Sequence, residues 1–222
     1  MSPKTAAQVS AFESPAEAPF YLTDALASTR PPRSLKYGDT FVVLDSRGDI
    51  PALPGGSAGL FHQDTRYLSR LELLINDHPP LLLGSNLRDD NSAFFVDLTN
   101  RDLIADQHIV LEKDTMHILR TILLWRDTAY QRFGIRSYSD RAVDLRVSIL
   151  FANDFADLFE VRGSRREHRG TASAKLRGRD QVLLIYQERR RRGRSAGSAV
   201  AALRMCSLTK RHQSAPSSGG SS

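Results

Sequence analysis

Apolar and polar residues alternate with a period of two along most of the chain from Leu35 to Gln187, the spacing of strands with one buried face. Thr40 to Leu44 (TFVVL) is a short strand run, closed by the turn-forming residues Asp45, Ser46, Arg47, Gly48 and Asp49. Residues 51–59 hold three glycines and two prolines and form a loop. From Arg66 to Ile75, Leu71, Leu73 and Ile75 share one parity against Arg70, Glu72 and Leu74. Asn76-Asp77 then predicts a hairpin turn before the apolar run Leu81-Leu82-Leu83. Ala93 to Leu98 is another strand run. Met116, Ile118, Ile122 and Leu124 share a parity that Arg120 interrupts. Tyr130 to Tyr138 sets Phe133 and Ile135 against Arg132, Gly134 and Arg136. Val143 to Phe151 sets Leu145, Val147 and Ile149 against Asp144, Arg146 and Ser148. A last strand runs from Gln181 to Gln187. No segment sustains helical periodicity for a dozen residues, and no internal repeat stands out. The pattern predicts an all-β, antiparallel β-sandwich.

The ends differ in character. Residues 1–34 are rich in Ala, Ser, Pro and Thr and read as a flexible leader. From Glu188 the chain becomes a basic, then Ser/Gly-rich tail, with arginines at 189–192 and 194. That composition buries no core, and residues 188–222 are expected to be disordered. Arg, Gly, Ala and Ser runs are also what GC-rich codons give in a wrong frame, so a frameshift or truncation near Gln187 is one expectation for this tail.

Charge sharpens the division. Residues 1–160 hold 16 basic against 22 acidic groups, a net of −6, whereas residues 161–222 carry +12. The globular part is therefore acidic, and the overall net charge of +6 describes its end. The Arg189–Arg194 run could hold phosphates through counterion release, but without interleaved aromatics it reads better as a solvated tail. The single cysteine, Cys206, excludes an internal disulfide and suits a reducing compartment. The first twenty residues contain no apolar stretch of signal-peptide length, and nothing approaches the length of a membrane span. A cytoplasmic location is expected.

Candidate chemistry concentrates in two places. Phe61, His62, Asp64, Arg66 and Tyr67 combine aromatic faces with hydroxyl-binding carboxylate, imidazole and guanidinium groups, as sugar sites do. The competing and favoured reading pairs Asp64 with Arg66, lets His62 and Thr65 satisfy the loop, and sends Tyr67 to the core. Asn86, Arg88 and Asp89 lie in a second polar stretch, where adjacent carboxylates could take a cation, although a solvated turn with Arg88 paired to a neighbouring Asp is favoured. Asp154 to Glu160 could form one helical turn with Phe155, Leu158 and Phe159 toward the core and the acids toward solvent. The six histidines show no metal-ligand spacing, and no phosphate-binding glycine loop or GxSxG elbow is present. No catalytic residue, metal or cofactor is assigned. Glycoside hydrolysis would need two carboxylates flanking the scissile bond; Asp64, Asp89, Asp97, Asp154, Asp157 and Glu160 are present, but sequence does not show that any two converge.

Four ordered blocks carry a family resemblance: LKYGDTFVVLDSRGDI at 35–50, GLFHQDTRYLSRLELLIN at 59–76, LLLGSNLRDDNSAFFVDLTN at 81–100 and DFADLFEVRG at 154–163. Over residues 35–187 the chain resembles the N-terminal domain of bacterial and archaeal glycogen debranching enzymes of the amylo-alpha-1,6-glucosidase type. The resemblance implies a supersandwich-like β-sandwich that buttresses a following (α/α)6 catalytic barrel and lines one edge of its α-glucan cleft, with residues 61–67 near the interface. The chain ends before such a barrel, so this domain is expected to be inactive alone and to self-associate through the face the barrel would cover. The rival readings are a stand-alone α-glucan-binding module and a basic-tailed nucleic-acid-binding protein.

Overall fold

The computed structural model describes residues 30–105, 107–165, 170–187 and 198–204. Fifteen strands and one short helix make up the described residues: β1 Arg33–Tyr37, β2 Thr40–Leu44, β3 Gly59–His62, β4 Thr65–Leu68, β5 Arg70–Ile75, β6 Leu81–Leu87, β7 Ala93–Thr99, β8 Leu103–Ala105, β9 His108–Leu111, β10 Met116–Trp125, β11 Thr128–Ser137, β12 Val147–Ala152, α1 Leu158–Val161, β13 Thr171–Arg177, β14 Gln181–Gln187 and β15 Ser198–Arg204. All strand pairings are antiparallel.

The strands form a β-sandwich, as the alternation predicts. One layer is the four-stranded sheet β11-β10-β7-β6, opposed by β1-β2-β3-β4 and the pair β12-β5. A single core runs between them. Phe94, Val96 and Leu98 of β7 and Ile118, Ile122 and Leu124 of β10 pack with Leu35, Val42, Leu44, Leu68, Leu73 and Ile75 from the opposing strands. The β13-β14-β15 sheet adds Leu184 to the same core. A satellite cluster of Leu103, Leu111 and Met116 sits under the β8–β9 hairpin. Among the described residues no helix is long and apolar enough to cross a membrane.

Two-residue turns set the hairpins. Gln63-Asp64 joins β3 to β4 and Arg126-Asp127 joins β10 to β11, all four at positive φ. Such turns match the right-handed twist of paired strands, and Asn and Asp tolerate the left-handed region better than most residues. Asn76-Asp77 also turns, closing an Ile75–His78 bridge. The strand that follows, β6, joins the other layer, and β5 pairs instead with β12, which begins 72 positions after β5 ends (147 − 75).

Three expectations are corrected. The segment 198–204, placed in a disordered tail by its small and basic neighbours, is strand β15: it pairs with β14 along its whole length, and Ala199, Ala201 and Leu203 alternate onto the core. The rest of that tail, 188–197 and 205–222, and residues 1–29 of the leader lie outside the described residues. Phe159 points away from the core and is 69 % exposed. The acids around it are bonded within the fold: Asp157 caps α1 in a capping box with Glu160, and Asp154 pairs with Arg66.

The interruption at Arg120 resolves into the most buried ion pair among the described residues. Arg120 keeps the inward parity of β10 and is 1 % exposed. Its Nη1 donates to Asp49 Oδ1 at 2.5 Å and to the Arg47 carbonyl at 3.0 Å, and its Nη2 donates to Gln131 at 3.1 Å. The Phe133 ring lies 5.6 Å from the guanidinium carbon. Asp49 also accepts from the Leu73 backbone N–H at 3.1 Å. Burial pushes the Asp49 carboxyl above its ordinary range, the Arg120 guanidinium pulls it back, and Asp45 adds to the rise. Gly48, at φ +80°, lets the turn close over this pair; a Cβ there would come 2.8 Å from Ile122 Cδ1.

Arg120→Met should therefore destabilise the fold by roughly 3–5 kcal/mol, because it strands a buried carboxylate, and the double variant with Asp49→Asn should cost less than the sum of the two. Urea unfolding midpoints at constant m-value measure both effects. Gly48→Ala should cost about 1–3 kcal/mol in the same assay, through positive φ and overpacking against Ile122.

Candidate functional site

The residues singled out at 61–67 do come together, but as a structural knot. Phe61 is buried and stacks on Phe41 at 4.6 Å with an interplanar angle of 6°. His62 Nδ1 lies 2.8 Å from Thr40 Oγ1, whose hydroxyl donates to Asp127 at 3.2 Å. With that proton directed to Asp127, Thr40 accepts from His62, so the trio is a bridge between β2, β3 and the β10–β11 turn and not a nucleophile–base pair. Asp64 is exposed on the β3–β4 turn, and its carbonyl accepts from Leu158 N at 2.9 Å.

Arg66 does not pair with Asp64, which the turn carries away. Its guanidinium meets Asp154 through two bonds, Nε–Oδ1 at 3.2 Å and Nη2–Oδ2 at 2.5 Å. Nη1 also donates to the carbonyls of Gly56 and Ala58 at 2.9 and 3.2 Å. The Arg66 stem lies over Gly59, where a Cβ would come within 2.5 Å of it. Tyr67 packs edge-on against Phe155 at 5.5 Å, and Phe155 stacks on Tyr186 at 5.3 Å. Phe155 sits at φ +47°, an unusual conformation for a bulky residue, held by the rings on either side. The blocks at 59–76 and 154–163 are thus one unit, sealed by Arg66 N to Ala156 O at 2.8 Å and the Thr65–Asp157 bridge.

The second cluster is a solvated hairpin end. Asn86 lies exposed on β6, Asp89 is exposed in the turn, and Arg88 pairs with Asp90 at 3.3 Å. Ser92 donates to Asp90 from both its N–H and its hydroxyl, which lowers the Asp90 pKa. No hydrogen bond or ion pair among the described residues joins the named residues of the two clusters. None of the described residues forms a group of three or more His, Cys, Asp or Glu side chains able to hold a metal ion.

Sequence reasoning missed a surface of different character, the outward face of β6, β7, β10 and β11. It exposes Phe95, Leu119, Leu123, Trp125 and Tyr130. His117 Nε2 and Asp97 Oδ1 are 2.7 Å apart on it. At one end an open depression of about 390 Å³ is lined by Leu83, Thr99, Asp114, Met116, His117 and Tyr138. A bulge between Leu82 and Gly84 leaves Leu83 exposed beside it. The signal was legible: the outward parity of β10 reads His117, Leu119, Thr121, Leu123, Trp125, too apolar for a face turned only to water.

A family model for the N-terminal domain of (some) glycogen debranching enzymes matches residues 35–211. The chain belongs to this family. Neither the curated proteins nor the solved structures compared with it match the chain. The family match runs past Gln187, where the sequence resemblance stopped, and takes in β15. All four blocks fall within it, and each supplies a contact that locks the fold: Asp49 from the first, Arg66 from the second, the Phe94–Leu98 core strand from the third and Asp154 from the fourth.

Arg66→Ala should lower stability by about 2–3 kcal/mol, because it leaves Asp154 and two carbonyls without their donor. Arg66→Lys should recover only part of that, since an ammonium cannot make the two-pronged contact. Thermal unfolding of the two variants side by side is the check.

Proposed function

We propose that this domain is the non-catalytic sandwich of a debranching-type glycoside hydrolase, supporting an amylo-alpha-1,6-glucosidase-type (α/α)6 catalytic domain and one edge of its α-glucan cleft. The family match carries this reading. The use made of the carboxylates supports it. Glycoside hydrolysis needs an acid and a second carboxylate free to meet the bond. Here Asp49 is held by Arg120, Asp154 by Arg66, Asp97 by His117, and Asp157 by its capping role, while Asp64 and Asp89 stand exposed on two separate turns. The exposed apolar residues of the outer sheet face would also bring copies of the chain together in solution. A cytoplasmic setting suits the single cysteine and the glycogen context.

The chain alone should release no sugar from α-1,6-branched glucan. Added to a separately made catalytic domain of this class, it should raise that domain's activity or melting temperature. Glucan hydrolysis by the chain alone, or no response from the catalytic domain, would overturn the proposal.

A further inference from the structure

The outer sheet face carries two kinds of side chain that the core does not use. The first is apolar. Phe95 of β7, Leu123 and Trp125 of β10 and Tyr130 of β11 are 36 to 52 % exposed. Register gathers them: Leu123 lies opposite Tyr130, and Phe95 lies opposite Thr121, the next outward residue along β10 from Leu123. The second is cationic. Arg126 stacks over the Trp125 ring at 5.7 Å, and Arg132 stands opposite Thr121. Arg136 lies further along β11, its guanidinium 5.1 Å from the Tyr138 ring. None of these three exposed arginines is ion-paired or hydrogen-bonded to another described residue through its side chain.

Charge chooses among occupants. Asp97 is the only carboxylate in β6, β7, β10 and β11, and His117 already holds it. A second copy would therefore set arginines against arginines. The chain itself contains the complement. Residues 5–29 hold Glu13, Glu17 and Asp24 and no Lys or Arg, with the apolar run Phe20-Tyr21-Leu22 between the last two acids. Acids flanking an aromatic run match arginines flanking an aromatic patch. The leader also has the reach. It enters the fold through β1, whose last residue, Tyr37, meets the Trp125 ring at 5.2 Å. From Leu22 to Arg33 the extended chain spans up to about 36–40 Å, against roughly 13 Å along β1 from Arg33 to Tyr37. A segment tethered in this way acts at an effective concentration of about a millimolar, which free copies at micromolar concentration do not match.

We propose that residues 17–26 of the leader fold back across this face, with Phe20, Tyr21 and Leu22 over Leu123, Trp125 and Tyr130, and with Glu17 and Asp24 among Arg126 and Arg132. The leader is then an intramolecular cover for the sheet, and copies of the chain that meet through this face must first displace it. The inference does not depend on the domain's role in glucan hydrolysis.

Trp125 is the single tryptophan of the chain, so its fluorescence reads the face directly. The test is acrylamide quenching of the whole chain and of the chain lacking residues 1–29, each over a range of low protein concentrations. Trp125 is 48 % exposed in the described fold, and removing the leader should raise its quenching constant about twofold or more and move its emission to the red. In the whole chain, Phe20→Ala, Tyr21→Ala and Leu22→Ala together should reproduce that change with circular dichroism unaltered, since β1 begins only at Arg33. Arg126→Glu with Arg132→Glu should also expose Trp125, and adding Glu17→Arg with Asp24→Arg to the same chain should restore its protection. Equal quenching of the whole and shortened chains overturns the proposal, as does a triple alanine variant that quenches like the whole chain. Protection that grows with protein concentration assigns the face to a second copy and overturns it too. A charge reversal that the leader's compensating arginines do not rescue overturns the placement of the acids.

Discussion

A guanidinium in the middle of a hydrophobic strand is the constraint around which this sandwich is arranged. Arg120 occupies a position that apolar neighbours on both sides would assign to a methyl or an isobutyl group. Removing its charge from water is costly, and the cost is met only because a carboxylate, a backbone carbonyl, an amide oxygen and an aromatic ring are all delivered to one point. Each comes from a defined place: Asp49 and the Arg47 carbonyl from the turn after β2, Gln131 and Phe133 from β11. The 45–49 turn is in turn held by the Asp45 side chain, which accepts from the N–H groups of Arg47 and Asp49, both at 2.8 Å. A local turn on one layer is thereby committed to a fixed position on the other.

The same device recurs with less burial at the opposite end of the hairpins. Arg66 gathers Asp154 and two loop carbonyls, and Thr40 gathers His62 and Asp127. These polar ties join segments far apart in sequence, while the apolar core beneath them is nondirectional. Hydrophobic burial makes the sheets stack, and the ties select the stacking. The outer face of β6, β7, β10 and β11 stands apart, because several of its large apolar side chains remain a third to a half exposed. That contrast separates residues that build the domain from residues free to meet something else.

The fold was legible because its period is two. The β10 strand follows from alternation once Arg120 is set aside, the β7 core run from its apolar and aromatic residues, and β14 from the unbroken apolar run Val182 to Tyr186. The turn at Asn76-Asp77 was legible too, but the partner of β5 was not, since alternation states which face is buried and never which strand lies alongside. β15 was hidden by small residues; Ala199 and Ala201 carry little hydropathy, and they pack beside Tyr186 and Leu184, their cross-strand partners. At the candidate site the structural reading of Phe61 to Tyr67 was legible, but the partner of Arg66 was not: it is Asp154 and not Asp64. Asp154 is 88 positions from Arg66, so no local reading could show that the arginine was already spoken for. Phe159 failed for a related reason: one turn of helix has too few residues for periodicity to distinguish its faces.

The pairing of β5 with β12 has a consequence for how the polypeptide is born. When β5 leaves the ribosome, the strand that pairs along its length among the described residues lies about seventy residues ahead, on the order of 4–14 s of synthesis away. During that interval the backbone groups of β5 that β12 will meet lack their partners, although Leu71 can already bond the earlier Ile50. Any pause in translation between residues 76 and 146 therefore lengthens the time for which β5 waits for the strand that pairs along its length.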